Sequence, residues 1–509
     1  MNQPRGAQIA IAPNRQQRRQ TARQEKKAQR GAGGGGEPKL GIKSKLRRAL
    51  AHMEACQPRE ALEEYRQILL KHPEHPEALN GAGLAAIRIG QCNIAIRLLQ
   101  SAISGKPNYA EAHSNLGIAL VNTGHTDEAL ASFRRAIDIA PRYANAHYNL
   151  GITLQATRRF EASKEAYITA ISLRPDHGES FTNLATVLFE IGDLDGSENA
   201  CHQAIALRPN DPLGLTILGQ TYMAAGSCDA AAAAFRRALD VDPTFGRAHF
   251  YLGQLLFREA DPKPAARCFE VALRVDPTLI VSHLFLGMMC DMQGETETAA
   301  RHFETLARHP GTTDYLIDSW SYVKSRRAGG ARILTDSFET LRYALDCARV
   351  EGLALEFGVR SGTSLNFLAG KLTQEVHGFD SFQGLPESWD GSETGLYATG
   401  GKLPQVGPNV RLHVGLFADT LPGFVAEHPG PIRFMNVDCD IYSSTKTIFG
   451  HLSSRIVPGT VIVFDEYLIN PNWREDEFKA FQEAVQAHGW KYEYLAFNLF
   501  TKQAVVRIL

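Results

Sequence analysis

Small residues recur every 34 positions through the first half of this 509-residue chain. They form one column: Gly83, Gly117, Gly151, Ala185, Gly219, Gly253 and Gly287. A second column with the same period holds prolines: Pro73, Pro107, Pro141, Pro175, Pro209, Pro243 and Pro277. A fixed period of this length predicts units of two helices, which bury their apolar faces only against neighbouring units. Because proline cannot continue a helical hydrogen-bond ladder, each proline marks the end of a second helix.

Other columns keep the same register. Glycines suited to a turn between two helices fill one of them: Gly90, Gly124, Gly192, Gly226 and Gly294. Counted from these columns, eight units begin near residues 42, 76, 110, 144, 178, 212, 246 and 280. The pattern resembles the tetratricopeptide repeat family, which implies an α-solenoid of about eight repeats over residues 42–313. Such arrays bind a protein or peptide partner in a concave groove, and we expect the same here.

A polar column within the repeats has two interpretations. Asn115, Asn149 and Asn183 share one position, and the column changes to Gly81 and Ile217 in other units. Side-chain amides can donate and accept hydrogen bonds along an extended peptide. In that interpretation the column resembles the asparagine ladder of O-linked N-acetylglucosamine transferases. The other interpretation is a polar position that faces solvent.

The N-terminal part of the chain differs in charge from the rest. Residues 1–48 hold thirteen Lys or Arg against Glu25 and Glu37, a net charge of +11, whereas the whole chain carries −1. Few apolar side chains and a glycine-rich stretch at residues 31–36 predict a disordered basic tail and linker over residues 1–41. We expect it to be solvated or in weak contact with a polyanion. Since it has no aromatic residues to stack on bases, it predicts no specific nucleic-acid binding.

The composition indicates a cellular compartment. The sequence has no run of 18 apolar residues for a membrane span and no apolar segment typical of a secretory signal. Its eight cysteines lack paired spacing, which favours free thiols in a reducing compartment. We therefore expect a cytoplasmic protein without a membrane span, and the repeats also allow a homo-oligomer.

Beyond about residue 350 the pattern changes to short apolar runs separated by helical segments. The predicted strands are residues 354–357, 375–379, 410–414, 432–437, 460–464, 492–497 and 504–508. The predicted helices between them include residues 364–371, 444–452 and 475–487. Strands that alternate with helices predict an α/β doubly wound domain with a mostly parallel sheet. Ligands of such sheets bind outside the carboxyl ends of the strands.

The first two of these strands end in residues suited to a nucleoside. Gly358 and Gly362 permit a tight turn into the next helix and close approach of a ligand to the backbone. The second strand ends at Asp380, 24 residues after Glu356, where an acid can accept both hydroxyls of a ribose. The glycine spacing is not GxGxxG, so we predict a nucleoside cofactor without a pyrophosphate. The alternative is an ordinary turn with a capping aspartate.

Four carboxylates follow two later strands. Asp438 and Asp440 are two residues apart, so in an extended chain both side chains point the same way, and Asp465 and Glu466 end the next strand. We expect all four at one edge of the sheet, where they repel each other unless a cation lies between them. Oxygen ligands favour a hard ion such as Mg²⁺. The alternative is a set of surface acids and helix caps.

These motifs together resemble the macrocin O-methyltransferase family. The segments GFDSFQGLPE at 378–387 and DCDIYSSTK at 438–446 carry most of the resemblance, which spans residues 350–487. It implies a class I S-adenosylmethionine-dependent enzyme that methylates sugar hydroxyls. The implied cofactor-binding residues are Glu356, Gly358, Gly362, Thr363, Asp380 and Ser381.

The resemblance also assigns roles to the acids. It implies Mg²⁺ bound by Asp438, Asp465 and Glu466, with Asp440 as the general base. The family usually has Asp-Asp-Tyr where this chain has Asp465, Glu466 and Tyr467. The glutamate keeps the charge but adds a methylene, which can shift the ion.

We therefore predict an S-adenosylmethionine-dependent O-methyltransferase that acts on a hydroxyl of a sugar or glycan, with the repeats as a docking module. Residues 314–349 are expected to form a helical connector, and residues 350–509 the methyltransferase-like domain. Residues 392–408 are expected to form a mobile loop over the acceptor. The alternative function is a peptide-binding scaffold whose methyltransferase-like domain is inactive or regulatory. A third interpretation, methylation of a protein held by the repeats, fits the architecture but not the sugar-like motifs.

Overall fold

A computed structural model of the chain describes residues 41–309, 313–389 and 394–509. The predicted basic tail lies outside the described residues, as do Ser392 and Glu393 of the predicted mobile loop. The contacts divide the chain into two compact units, Met1–Val187 and Leu188–Leu509. The division falls inside the repeats, so the later repeats belong to the same unit as the C-terminal domain.

Antiparallel helix pairs make up the first unit. Its helices are α1 (Ile42–Glu54), α2 (Pro58–Leu69), α3 (Pro76–Arg88), α4 (Cys92–Gly105), α5 (Ala110–Asn122), α6 (Thr126–Ile139), α7 (Ala144–Ala156) and α8 (Phe160–Leu173). The next helix, α9 (Gly178–Glu190), crosses the boundary between the units. The first helices of the pairs begin at the positions that the 34-residue period predicts.

The second unit continues the repeats before it forms a sheet. Its repeat helices are α10 (Leu194–Leu207), α11 (Pro212–Ala224), α12 (Cys228–Val241), α13 (Gly246–Leu256), α14 (Lys263–Val275), α15 (Val281–Met292) and α16 (Thr296–Ala307). A further helix, α17 (Asp314–Arg326), follows them. None of the described helices is long and apolar enough to cross a membrane.

The glycine column is explained by the packing within each repeat. A Cβ atom on Gly117 would lie 2.7 Å from the ring of Phe133, and one on Gly219 would lie 2.4 Å from the ring of Phe235. In both cases the ring comes from the second helix of the same pair, sixteen residues later. A side chain at this column would therefore displace the ring that fills the repeat core.

The asparagine column is buried. Asn115 donates to Oδ1 of Asn80 over 2.9 Å, and Asn183 donates to the Tyr148 hydroxyl over 3.2 Å. With Asn149 only 1% exposed, these amides link successive repeats. The expectation of a polar position facing solvent is wrong, because all three asparagines are buried.

The C-terminal domain alternates strands and helices. Its elements are β1 (Arg332–Ile333), α18 (Ser337–Cys347), β2 (Leu353–Phe357), α19 (Thr363–Lys371), β3 (Val376–Asp380), β4 (Val410–Val414), α20 (Phe417–Glu427), β5 (Ile432–Val437), α21 (Tyr442–Leu452), β6 (Val461–Phe464), α22 (Glu477–His488), β7 (Tyr492–Asn498) and β8 (Gln503–Ile508).

These strands form one sheet in the order β1-β7-β8-β6-β5-β2-β3-β4. Only β8 runs antiparallel to its neighbours β6 and β7 within the described sheet. Alternate residues of β6 enter different apolar clusters, Ile462 and Phe464 on one side and Val461 and Val463 on the other. This is the period of two expected for a strand covered on both faces, so the domain is doubly wound.

The segment 314–349 differs from the predicted helical connector. It contains α17 and α18, but between them β1 pairs with β7 and extends the sheet. A strand of two residues is too short to show a period, which is why the sequence pattern missed it.

The repeats of the second unit pack against its sheet domain. The ring of Phe500 lies 4.6 Å from that of Phe285 and 5.3 Å from that of Phe257, measured between centroids. The Glu259 carboxylate accepts from the backbone N of Ile333 over 3.3 Å. These repeats therefore serve as part of the domain's support.

Candidate active site

Backbone hydrogen bonds align the ends of four neighbouring strands. Gly358 N donates to Phe379 O over 3.0 Å, Asp438 N donates to Phe357 O over 2.8 Å, and Asp465 N donates to Val437 O over 3.0 Å. The backbone hydrogen-bond ladder that joins β3, β2, β5 and β6 thus continues one residue beyond the carboxyl ends of β2, β5 and β6. The residues that follow the strands consequently lie side by side at the carboxyl edge of the sheet.

A cavity of about 280 Å³ opens at this edge. Its lining residues are Gly358, Arg360, Asp380, Ser381, Gly384, Leu385, Pro386, Leu396, Tyr397, Gly415, Leu416, Phe417, Asp438, Cys439, Asp440, Ser444, Asp465 and Glu466. The four predicted acids therefore share one cavity with three of the six predicted cofactor residues. Glu356 in β2, Gly362 at the N-cap of α19 and Thr363 at its start flank the turn but do not line the cavity.

The turn after β2 leaves no room for a side chain at its first position. Gly358 has a φ of +92°, and a Cβ atom there would lie 1.6 Å from the carbonyl oxygen of Asp438. Gly362, with a φ of +76°, is the N-cap of α19. The two glycines let the turn pass close to the strand ends, as expected from the sequence.

Asp380 is held by two backbone amides. Its Oδ2 accepts from Arg360 N over 2.7 Å, and its Oδ1 accepts from Phe382 N over 2.7 Å. Both donors have left-handed backbone conformations, with φ of +49° and +57°. Because a carboxylate oxygen can accept more than one hydrogen bond, both oxygens keep capacity for the hydroxyls of a ligand.

Glu356 lies beneath the turn with no exposed surface. Its Oε1 accepts from Asn436 Nδ2 over 2.9 Å, whereas its Oε2 makes no hydrogen bond of ordinary geometry within the described residues. Burial raises the pKa of Glu356 to about 7, against the lowering effect of Ser364 and Asn436.

Asp440 has a left-handed backbone. Its φ is +61°, and Ile441 N donates to Cys439 O over 2.6 Å across it. The expectation of an extended chain from Asp438 to Asp440 is therefore wrong, although both residues line the cavity. A left-handed non-glycine residue is costly and is often found at functional sites.

Burial and mutual repulsion favour the protonated forms of these acids. Burial, followed by Glu466 and Asp465, raises the pKa of Asp440 from 3.8 to about 8, although Lys502 and Arg360 act in the opposite direction. Burial, Asp465 and Asp440 raise the pKa of Asp438 well above its usual range. A carboxyl group with a pKa near 8 can exchange a proton at physiological pH.

Two residues of the β7–β8 hairpin contact the last pair of acids. Lys502 Nζ lies 2.9 Å from both carboxylate oxygens of Glu466, and Gln503 Nε2 donates to Asp465 Oδ1 over 2.6 Å. Sequence analysis missed both residues because they lie in no motif. Glu466, a predicted metal ligand, therefore has Lys502 as its partner in this structure.

A fifth acid, Glu477, was also missed. It has no exposed surface, and its Oε1 accepts from Cys439 N over 3.4 Å. Its Oε2 has no hydrogen-bond partner among the described residues. Burial, then Asp440 and Asp465, raises its pKa well above the usual range. Glu477 therefore supports the turn that carries Asp440. In the sequence it resembles an ordinary acid at the start of a helix, and only its burial in the structure distinguishes it.

The charges at the cavity suit one divalent cation. Five carboxyl groups line the cavity, Asp380 among them, and the cations Lys502 and Arg360 act on this cluster, so full ionisation would leave an excess of three negative charges. The carboxylates do not, within the described residues, form a group of three with ligand atoms within 4.8 Å of each other. Mg²⁺ tolerates such a site because it takes one or two carboxylates and keeps several waters. The oxygen donors of Asp438 and Asp465 are of the type that Mg²⁺ prefers.

The acids predict how stability changes with pH. Since the folded-state pKa of Asp440 is raised, the native state binds more protons than the unfolded state between about pH 4 and 8. The free energy of unfolding therefore falls as the pH rises through this window, by about 1.4 kcal/mol per pH unit for each extra proton that the native state binds. We expect Mg²⁺ to raise the thermal midpoint more at pH 8.5 than at pH 6, because at pH 6 the ion must displace protons.

Differential scanning fluorimetry with and without Mg²⁺ at both pH values measures this effect. In D438N the Mg²⁺ increment at pH 8.5 should be lost. An equal increment at both pH values, or one retained in D438N, would contradict a cation bound by these acids.

The described part of the predicted mobile loop folds onto the segment after β3. Leu385 N donates to Leu396 O and Gly395 N to Leu385 O, each over 2.9 Å. The Arg360 guanidinium lies 4.6 Å from the centroid of the Tyr397 ring and donates to the Glu190 carbonyl. Arg360 thus joins the glycine turn, this loop and a repeat turn of the same unit.

A helical-hairpin solenoid followed by a doubly wound sheet with an acidic cavity at its carboxyl edge defines a repeat protein fused to an α/β domain of the class that binds ligands at the ends of its strands. More particularly, the chain contains tetratricopeptide repeats and a methyltransferase domain. A family model described as "Methyltransferase domain" matches residues 355–467. Tetratricopeptide repeat models match residues 46–91, 81–144, 148–212, 218–280 and 280–305.

One curated protein with significant similarity is 8-demethyl-8-(2,3-dimethoxy-alpha-L-rhamnosyl)-tetracenomycin-C 4'-O-methyltransferase from Streptomyces olivaceus. The two are 30% identical over 160 residues, which is 26% of this chain. The match spans 60% of the length of that relative.

Solved structures of helical repeat proteins are similar to part of the chain. A tetratricopeptide repeat protein from Parabacteroides merdae is 15% identical with a TM-score of 0.39, and covers 51% of this chain and 98% of its own. The anaphase-promoting complex assembly Cut9–Hcn1 is 16% identical with a TM-score of 0.42, and covers 49% of each chain. No functional conclusion follows from similarities of this size.

Proposed function

We propose that this protein is an S-adenosylmethionine-dependent O-methyltransferase that acts on a hydroxyl of a sugar or glycan, with part of its repeat array as a protein-docking module. One observation carries the proposal. A single cavity combines a glycine turn and a ribose-type acid, Gly358 and Asp380, with the carboxylates of Asp438, Asp440 and Asp465.

The residues around the glycine turn fit the methyl donor. Asp380 would accept the ribose hydroxyls. The Glu356 carboxyl, buried beneath the glycine turn, would oppose the charge of the donor's ammonium group from behind the cavity wall. Gly358, Gly362, Thr363 and Ser381 border the same turn and provide close backbone approach. When bound, the cofactor supplies a methyl group activated by a sulfonium.

Asp440 would act as the general base. Its raised pKa lies close to physiological pH, where a base is most effective. In the proposed reaction the acceptor oxygen forms a bond to the methyl carbon as the carbon–sulfur bond breaks. The hydroxyl proton passes to the Asp440 carboxylate, and the leaving group is a neutral thioether.

Asp438 and Asp465 would hold Mg²⁺ next to the acceptor. The ion, when bound, lowers the pKa of a coordinated hydroxyl. Glu466 would keep Lys502 in place, a role that differs from the predicted ligand. The longer side chain of glutamate reaches Lys502, which gives the departure from Asp-Asp a physical reason.

A sugar acceptor is supported by the character of the cavity wall. Tyr397 and Leu385 offer apolar surface, and the neighbouring carboxylates offer acceptors for hydroxyl groups. The name of the similar protein from Streptomyces olivaceus specifies a rhamnosyl group and 4'-O-methylation. We infer a sugar hydroxyl as the acceptor for this chain as well.

The docking role would belong to the repeats of the first unit. The second unit's repeats already contact the sheet domain through Phe257, Phe285 and Glu259. Residues 42–187 of the first unit carry repeats of the same kind. A protein or peptide partner, or a second copy of the chain, is therefore expected there.

Calorimetry with S-adenosylmethionine, followed by incubation of labelled cofactor with a panel of glycosides, tests the proposal. We expect one mole of cofactor to bind per chain and the label to appear on a sugar oxygen in product analysis. D380N should weaken cofactor binding, whereas D346N, on the exposed face of α18, should not. Absence of binding heat in the wild-type chain would favour the scaffold alternative, and label on a protein would favour the third interpretation.

A further inference from the structure

Three potential metal ligands meet at the other end of β3. Glu375 precedes the strand, His377 is its second residue, and His428 is the C-cap of α20. Each offers one ligand atom, and these atoms all lie within 4.8 Å of one another. Asp380, which lines the cavity, ends the same strand, so the cluster is separate from the proposed active site.

We propose that Glu375, His377 and His428 bind a divalent transition-metal ion of the zinc class. Two imidazoles and one carboxylate are a typical ligand set for Zn²⁺ with water in the fourth position. Nitrogen ligands make the site unsuited to Mg²⁺. This proposal does not rest on the methyltransferase function.

The hydrogen bonds of His428 leave a nitrogen available. Its Nδ1 lies 3.2 Å from the carbonyl oxygen of Phe424. Because a carbonyl can only accept, Nδ1 carries the proton and Nε2 keeps its lone pair. A histidine that donates its second nitrogen to a carbonyl has the arrangement usual for metal ligands.

His377 reaches a similar arrangement through a neighbouring strand in the tautomer whose Nδ1 carries the proton. Its Nδ1 lies 3.2 Å from His413 Nε2, and its Nε2 lies 3.9 Å from Glu375 Oε2. With Nδ1 donating to His413, the lone pair of Nε2 lies on the side of the carboxylate. The His377 ring is nearly buried, and burial, followed by His428 and His413, lowers its pKa to about 4, which keeps it neutral.

Glu375 retains an oxygen for the ion. Its Oε1 lies 2.8 Å from Arg411 Nε, whereas its Oε2 is the oxygen nearest His377. The glutamate side chain is 41% exposed, so an ion can reach the cluster from solvent. A simple ion pair between Glu375 and Arg411 explains one oxygen but not the convergence of the two imidazoles.

The ion would link the edge of the sheet to a helix. β4 is an edge strand that pairs only with β3 in the described sheet, and His413 of β4 supports His377. His428 ends the helix that follows β4. A metal ion at this point would therefore connect β3 to the end of α20. Because the ion binds the native state, it would raise the stability of the protein.

Zinc titration of the full chain tests this site. The protein is stripped with EDTA, transferred to chelator-free buffer and titrated with ZnCl₂ by calorimetry, without methyl donor. D438N serves as the background, because it disables the acidic cavity. We expect one equivalent of zinc in D438N, and an affinity at least tenfold lower when H428Q or E375Q is added.

Cobalt(II) provides a spectroscopic readout of the same ligands. The D438N protein should show visible absorption typical of nitrogen and oxygen ligands, and H428Q should remove it. H451Q, a histidine at the end of α21 outside the cluster, should change neither measurement. Less than one equivalent of zinc in D438N, or an unchanged affinity in both H428Q and E375Q, would overturn the proposal.

Discussion

Replacing Asp440 by asparagine should lower the rate of methyl transfer by about 10²–10⁴-fold, the usual contribution of a general base. The substitution keeps the size of the side chain and removes its ability to take a proton. Asparagine tolerates the left-handed backbone at this position, where φ is +61°. The protein should therefore stay folded and bind S-adenosylmethionine with unchanged affinity.

The pH dependence of the rate identifies the base. Since the Asp440 carboxyl must be ionised to accept a proton, kcat/KM of the wild-type protein should rise with pH and level off above an apparent pKa no higher than about 8. Bound Mg²⁺ favours the ionised form and shifts this rise in kcat/KM to lower pH. In D440N the rise of kcat/KM with pH should disappear. Initial rates measured between pH 5.5 and 9 with labelled cofactor report both changes.

A matched control separates proton transfer from charge. D346N also removes one carboxylate, but from an exposed position on α18, and should retain wild-type rates and the wild-type pH profile. If D440N kept most of its rate and the rise of kcat/KM with pH, Asp440 would not be the base. A loss of cofactor affinity in D440N would instead indicate a binding role.

The fold was predictable because its repeats and strands impose periods on the sequence. The aromatic ring of Phe133 or Phe235 excludes a side chain at Gly117 or Gly219, and this exclusion recurs every 34 residues. The seven predicted strands all lie in the sheet, since each has enough residues to show an apolar run. The strand β1 has two residues and gave no such signal.

The site was predictable only where motifs follow strands. Parallel strands bring their carboxyl ends to one edge, so Asp380, Asp438 and Asp465 were expected together. The partners that set their chemistry come from a hairpin far along the chain, as Lys502 and Gln503 show. No spacing rule links residue 466 to residue 502, because an antiparallel strand pair determines that distance.

Backbone conformation was the other unpredictable element. The sequence suggested an extended chain at Asp440, but a tight turn gives it a φ of +61°. In a sequence, a glycine indicates a possible left-handed backbone conformation, whereas an aspartate does not. The asparagine column failed for a related reason, since the burial of Asn149 depends on the packing of adjacent repeats.

Replacing Gly358 by alanine should have the largest effect on stability. The glycine has a φ of +92°, and an added Cβ atom would lie 1.6 Å from the Asp438 carbonyl oxygen. The left-handed conformation alone costs about 1–3 kcal/mol for alanine. The contact must in addition push β2 away from β5, because the clashing atom belongs to the backbone. We expect a total loss of more than about 3 kcal/mol, which lowers the thermal midpoint by at least about 4 °C for a unit that spans residues 188–509.

Gly370 provides the control for this substitution. It lies in α19, twelve residues after Gly358, and an added Cβ atom there would meet nothing within 4 Å. G370A should leave the midpoint unchanged or raise it, since alanine favours a helix over glycine by up to about 1 kcal/mol. Thermal unfolding followed by circular dichroism compares the two variants. A G358A protein that is as stable as G370A and still binds the cofactor would contradict this prediction. It would show that the turn after β2 and the end of β5 can separate at no cost in stability, so that the cavity does not depend on the close approach of these two segments.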